Sequence, residues 1–443
     1  MKVVTEKRRH PLPDGEVTVH GAVRSVTGAM LEARLGGARI LIDCGVAQGR
    51  DREGWSFPES VAGVDAVVLT HGHNDHVGSL PELMALGYAG PIFATRATLQ
   101  ITRVVVTDSL RLQRRRNEVR PFEEWFAARS RPVAHDAWTE LPGGEARLAL
   151  REAGHILGSA SVELRSSASR VIVSGDLGRP DVPILRDPNT TWDDDVPVNL
   201  VLMESTYGDR RHRAIPDEVE EDLLEIVRKV EAARGRLLVP AFAIGRTQLL
   251  LYHLNSLHEA GRIGPMLVAL DSPMGIEITE LHQAHRRLFD REALDRLHRG
   301  DDPLDFDGLY GVRRAEDSRR LREEPGPMVV IAGSGMCTGG RIVGHLVEHL
   351  DDASTTVLFV GYQAAGTPGR RIQEAAAQKG WIRLEGREVL VRARIATLEG
   401  LSAHADQAEL QAWLAAIPGV ERVGLYHGDP GAQAALAGLL SPG

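Results

Sequence analysis

The stretch VVLTHGHNDHVGSLP, residues 67–81, leads the apolar run Val67-Val68-Leu69 straight into His71, His73, Asp75 and His76. A single histidine in a folded chain is usually a satisfied core or surface residue. Three imidazoles and a carboxylate within six positions, just beyond a buried strand, are different, because without a cation among them they repel one another or stay unsatisfied. Zinc takes nitrogen and oxygen donors at this density, so the stretch reads as part of a metal site at a strand end.

One such cluster does not complete two metals. Cys44 and Cys337 are the only cysteines and lie far apart, which excludes a disulfide framework and a cysteine-based zinc site. The remaining donors must be His and carboxylates. The chain offers His155 in AGHILGSA, Asp176 in VSGDLG and His427 in YHGD, each after an apolar strand. His71, His73, Asp75, His76, His155, Asp176 and His427 make two four-coordinate zinc sites if Asp176 bridges, so two Zn2+ per chain are expected.

At 443 residues the chain exceeds the usual single-core limit, and 43% hydrophobic with 26% charged residues is ordinary for a folded soluble protein. Two domains follow. The start, MKVVTEKRRHPLPDG, has no apolar targeting core and no run of 18 apolar residues occurs, which predicts a cytoplasmic chain with no membrane partner. A net charge of −9 argues against a nucleic-acid coat but leaves room for a nuclease whose positive charge is local.

Up to residue 206 the pattern is strands parted by turns, with helix around 96–118. After 208 strands alternate with helices, beginning with PDEVEEDLLEIVRKVEAARG, which implies a parallel, doubly wound sheet. Strand-rich sequence returns near 372 in WIRLEGREVLVRARIATLEG. The expected organisation is an α/β chain in which a first domain at 1–208 resumes at 372–443 around an insertion at 209–371.

The H-x-H-x-D-H stretch with downstream Gly-His and Gly-Asp resembles the metallo-β-lactamase fold, an αββα sandwich, and LIDCG supplies that superfamily's early Asp as Asp43. LMESTYGDR with Glu204, LSAHAD with His404 and LYHGD with His427 resemble motifs A, B and C of the β-CASP nucleases. The chain is most similar to the endonuclease subunit of the cleavage and polyadenylation specificity factor and its stand-alone bacterial relatives. PAFAIGRTQ, DSPM, IAGSGMCTGGR and VLFVGYQ read as signatures of that group's inserted β-CASP domain.

The resemblance implies one zinc on His71, His73, His155 and Asp176, another on Asp75, His76, Asp176 and His427, and a hydroxide between them that hydrolyses a phosphodiester. Asp75 also orients or deprotonates the nucleophile. Asp43 accepts a ring N–H from a ligand histidine. His404 is the candidate general acid, with Glu204 expected to hold its other nitrogen. Ser334, Ser402, Arg246 and Arg341 are the candidate phosphate contacts, the serines being otherwise ordinary turn residues. The basic runs RLQRRRNEVR at 111–120 and RRHR at 210–213 are either substrate guides or solvated charge.

Single-stranded RNA is the expected partner, in a cleft between the two units, and a homodimer is left open. A histidine at 427 favours RNA over DNA, because DNA-repair members of the group carry an apolar residue there. A small-molecule hydrolase of the same superfamily would not need the insertion with Glu204 and His404, and a non-catalytic scaffold would have lost donors. Ribonuclease J carries an additional C-terminal domain, for which the residues beyond His427 leave no room. No KH-type N-terminal extension is expected either.

Overall fold

The computed structural model describes residues 1–5, 8–53, 55–193, 196–212 and 216–441. Residues up to Arg211 and from Ala403 onward form one compact unit, and His212–Ser402 form a second.

The first unit is built on two seven-stranded sheets. One runs in the order Arg9–Leu12, Gly15–Gly21, Met30–Leu35, Ala38–Ile42, Ala66–Val68, Ile92–Ala94, Ser130–Pro132. The other runs Lys2–Val4, Arg422–Tyr426, Leu200–Glu204, Arg170–Val173, Ala160–Arg165, Arg147–Glu152, Thr139–Glu140. Inward side chains of both, among them Val17, Leu31, Ile40, Ile42, Val68, Leu148, Val162, Val171, Val173 and Leu202, form one buried cluster. Each such side chain contributes about 1.5–3 kcal/mol on leaving water. The outer face of the second sheet packs Ile172, Val201 and Met203 against Leu410, Trp413 and Leu414 of helix Gln407–Ala415 and Leu436 of helix Pro430–Leu440. This is the expected αββα sandwich. The helix expected around 96–118 is two helices, Arg96–Leu112 and Arg116–Arg129, parted at Arg114 with its φ of 63°.

Parallel pairing decides where the polar residues collect. Ala38–Ile42 and Ala66–Val68 pair in parallel, Ile42 opposite Val68, so Asp43 and Thr70-His71 leave neighbouring strands at the same end. In the other sheet Val173 lies opposite Leu202, and Glu204 opposite Tyr426, so Asp176, Glu204 and His427 emerge together. Carboxyl ends of parallel strands are where open α/β sheets present ligand-binding loops.

The second unit carries a six-stranded sheet in the order Leu309–Gly311, Leu267–Asp271, Met328–Ala332, Arg236–Pro240, Thr356–Phe359, Arg394–Thr397. Every pairing in it is parallel, as the alternation of strands and helices predicts. The return to the first unit comes at Ala403, later than the expected 372. Strand Arg394–Thr397 pairs with Thr356–Phe359 and closes the edge of the second unit's sheet. Hairpin Trp381–Leu384 with Arg387–Leu390 buries Ile382, Leu384 and Val389 with Leu346, Leu350 and Ile372 of that unit. Strand periodicity identifies a strand but not the sheet it joins. Among the described residues no helix is long and apolar enough to cross a membrane.

Candidate metal centre

Every residue of the predicted donor set lies in the first unit, at the shared strand ends. His71, His73, His155 and Asp176 bring donor atoms within 4.8 Å of one another, as do Asp75, His76 and His427. Asp176 joins the groups: Oδ2 is 3.6 Å from His71 Nε2 and 3.7 Å from His155 Nε2, while Oδ1 is 3.3 Å from His76 Nε2 and 3.2 Å from His427 Nδ1. His427 Nε2 lies 3.7 Å from Asp75 Oδ2.

Hydrogen bonds behind the cluster aim the ring nitrogens. Asp43, fully buried, accepts from the Thr70 amide and hydroxyl, both at 2.8 Å, and from His76 Nδ1 at 2.7 Å. With its proton committed to Asp43, the Thr70 hydroxyl accepts from His71 Nδ1 at 3.0 Å. His155 Nδ1 donates to the Ala403 carbonyl at 3.0 Å. In each of these three imidazoles the assigned tautomer turns the Nε2 lone pair inward. Neither Thr70 nor the Ala403 carbonyl carries a sequence signal: one is an ordinary strand-end residue, the other a backbone oxygen far along the chain.

Three inward nitrogens cannot satisfy one another. His73 Nδ1 lies 3.1 Å from His71 Nε2 and 3.2 Å from His155 Nε2, yet the protons of His71 and His155 are committed elsewhere. Ligands about 2.0–2.1 Å from a tetrahedral ion stand roughly 3.3–3.4 Å apart, close to these separations. His76 Nε2, Asp176 Oδ1 and His427 Nε2 are buried without a hydrogen-bond partner, which is costly unless a cation takes them. The donor set therefore fits divalent metal.

Protonation agrees. Burial, reinforced by neighbouring imidazoles, pushes His71 and His155 well below the ordinary histidine range, and burial takes His73 down to about 4, so all three favour the neutral, ligating form at pH 7. Burial works against ionisation of Asp75, but His427 beside it and the surrounding imidazoles hold it at about 2. Burial also opposes a charge on His76, yet Asp176 and Asp43 on either side of the ring hold it well above its usual range. The pocket demands positive charge there.

Glycines let the backbone make these turns. Gly175 has φ 60°, and a Cβ there would lie 2.8 Å from Thr70 Cβ. A side chain at Gly45 would collide with the Asp75 carbonyl, which accepts from the Ala29 amide at 2.8 Å.

Beside the cluster, His404 Nδ1 is 3.3 Å from Glu204 Oε1 and 3.9 Å from Asp176 Oδ2, and its ring centroid lies 4.5 Å from that of His155. Glu204 is fixed by the amides of Leu177 at 2.7 Å and Thr206 at 3.2 Å. Thr206 Oγ1 also sits 3.3 Å from His427 Nδ1, and the Tyr207 ring stands edge-on to His404 at 5.9 Å. Sequence reasoning missed Thr206 and Tyr207, although both fall inside the quoted LMESTYGDR.

The four candidate phosphate contacts all lie in the second unit. Ser402 ends the second unit, two residues before His404. Ser334, half-buried within the second unit, accepts from the Thr338 amide at 3.0 Å. Arg246 lays its guanidinium over Phe242 at 5.1 Å. Arg341 is engaged within its own unit: Nη1 donates to Asp271 at 2.6 Å and the Val312 carbonyl at 2.7 Å, and Nη2 to the Arg313 carbonyl at 2.7 Å. These bonds make Arg341 an internal brace. In the 111–120 run Arg115 pairs with Glu82 and Glu118, and Arg120 with Glu124, while Arg111, Arg114 and Arg116 are exposed. Of RRHR at 210–213, Arg210 pairs with Asp209 at 2.8 Å, and Arg213 lies outside the described residues.

Comparison with known proteins points the same way. The sequence matches the metallo-beta-lactamase superfamily over residues 29–241, the Beta-Casp domain over 247–372, and the Zn-dependent metallo-hydrolase RNA specificity domain over 388–442. It is 40% identical to Ribonuclease TTHA0252 of Thermus thermophilus, covering 95% of each chain. It is 31% identical to the transcription termination factor FttA of Methanothermobacter thermautotrophicus, covering 96% of this chain and 69% of that one. A crystal structure of a protein of unknown function from Enterococcus faecalis V583 superimposes with a TM-score of 0.55 at 15% identity over 95% of both chains, a likeness of fold.

Proposed function

The chain belongs to the metallo-β-lactamase superfamily and carries its Beta-Casp domain, and from that membership we propose that it is a zinc-dependent ribonuclease hydrolysing phosphodiester bonds of single-stranded RNA, with two zinc ions per chain. One observation carries the reading: His73 Nδ1 stands 3.1 and 3.2 Å from inward Nε2 atoms of His71 and His155, in the company of the Asp176 carboxylate. The similarity to Ribonuclease TTHA0252 and the match to an RNA specificity domain support RNA as the substrate.

His71, His73, His155 and Asp176 would hold one zinc, and Asp75, His76, Asp176 and His427 the other. When bound, the pair supplies positive charge for a phosphodiester and a water of lowered pKa. Asp75, half-buried and held ionised, would orient such a water and take its proton. Asp43 fixes His76 directly and His71 through Thr70, so its effect on the reaction passes through those rings. His404 would donate a proton to the leaving oxygen from the ring nitrogen opposite Glu204, whose carboxylate holds the other nitrogen.

The test is a matched series of end-labelled single-stranded RNA, duplex RNA and single-stranded DNA, incubated with and without chelator. Single-stranded RNA should be cleaved fastest, and chelation should abolish cleavage. Equal or faster cleavage of duplex or DNA would remove the RNA assignment, and chelator-resistant cleavage would remove the metal.

A further inference from the structure

We propose that Phe242, Arg246 and Tyr362 form a stacking platform for the bases of single-stranded RNA, a binding surface that rests on the ribonuclease reading and lies wholly within the second unit. Phe242 follows strand Arg236–Pro240 and Tyr362 follows strand Thr356–Phe359. The two strands pair in parallel, Leu237 opposite Thr356 and Leu238 opposite Val357, so their exits leave the sheet side by side at its carboxyl end. Both residues reach solvent, Phe242 at 39% and Tyr362 at 64% exposure, so each leaves apolar surface uncovered that burial would favour.

The platform is built rather than loose. Arg246, first residue of helix Arg246–Glu259, holds its guanidinium 5.1 Å from the Phe242 ring centroid. A side chain at Gly361 would collide with that guanidinium, so Gly361 leaves room for it. On Phe242, a Cβ at Gly335 would lie 2.7 Å from Cδ2, so the 333–340 loop approaches the ring only because residue 335 is glycine. Gln363, buried, donates from Nε2 to the carbonyls of Gly335 at 3.0 Å and Gly361 at 3.2 Å, tying both loops together. A ring fixed in this way loses little freedom when a ligand stacks on it.

The chemistry selects the occupant. Every base presents a π-face whatever its sequence, and every base comes with a phosphate, so a ligand that uses two exposed aromatic rings and an adjacent guanidinium is a single-stranded nucleic acid. A duplex keeps its base faces inside the stack and has none to offer. An apolar helix of a protein partner would instead call for a continuous aliphatic groove, whereas these rings are flanked by a charged group and glycine backbone.

The test uses the metal-loaded enzyme and two phosphorothioate strands of equal length, one RNA and one abasic, as competitors against cleavage of a fluorescent RNA. Wild-type enzyme should bind the RNA strand more tightly than the abasic strand. Phe242→Ala and Tyr362→Ala should each weaken binding of the RNA strand by roughly 5- to 150-fold, the span of one lost base stack, and leave the abasic strand's inhibition constant unchanged. Phe242→Trp should restore RNA affinity. Unchanged RNA affinity in both alanine variants would overturn the platform, as would an equal loss toward RNA and abasic strands, which would mark a structural role. If wild-type enzyme shows no preference for RNA over the abasic strand and does not cleave RNA, the ribonuclease reading fails and the platform with it, an outcome set apart from the others by the wild-type measurement itself.

Discussion

His404 stands beside the seven proposed donors without being one of them, its Nδ1 3.3 Å from Glu204 Oε1 and its ring tilted against that of His155 with centroids 4.5 Å apart. A residue so placed can pass a proton yet leave the metal where it is. His404→Ala should therefore retain wild-type metal content and lose roughly 10²–10⁴-fold in the rate of RNA cleavage, read by elemental analysis and initial rates on one preparation. Metal loss in this variant would make His404 a ligand instead. At this scale the sequence was most informative where the chemistry is local. His71, His73, Asp75 and His76 announce themselves by crowding, and the structure brings all seven proposed donors together. Partnerships across the chain left no trace: Thr70 as the relay from His71 to Asp43, and the carbonyl of Ala403 behind His155, depend on loops that meet only in the fold. The pairing of Arg341 with Asp271 was hidden for the same reason, since Asp271 lies far back in the sequence.

Strand ends set the positions of these residues, and the positions tolerate little. The Asp75 turn is anchored by the Ala29 amide at 2.8 Å and by the Cys44 amide, which donates to the His76 carbonyl at 2.7 Å; Gly45 makes room for it. Gly45→Ala must push the Asp75 carbonyl away. The expected result is a loss of about 1–3 kcal/mol of stability from overpacking, together with reduced metal content, measured by denaturant unfolding with and without chelator. A variant with unchanged midpoint and full metal would show that the turn adapts freely. Elements were legible wherever a long apolar run or a helical period was present. The sheet to which a strand belongs was not, and the segment 381–397 illustrates this: its alternation reads as strand, but only pairing with Thr356–Phe359 and burial against Leu346 and Leu350 assign it to the second unit.

For the whole molecule, the proposed function requires that a net charge of −9 be offset locally where the polyanionic substrate binds, and the proposed metal ions, Arg246 and the exposed Arg111, Arg114 and Arg116 would supply that charge. Phosphate contacts made by such groups release counterions, so kcat/KM for RNA should fall steeply as salt is raised, despite the acidic chain. A flat profile would mean that the substrate is held without phosphate contacts. The proposed positive charge depends above all on seven donors forming two metal sites that share Asp176. The most direct measurement is the metal content of purified wild-type protein and of Asp176→Ala by elemental analysis. Wild-type protein should hold close to two zinc ions per chain, and Asp176→Ala should lose both. One tightly held metal per chain, with the same stoichiometry in Asp176→Ala, would contradict the two shared sites.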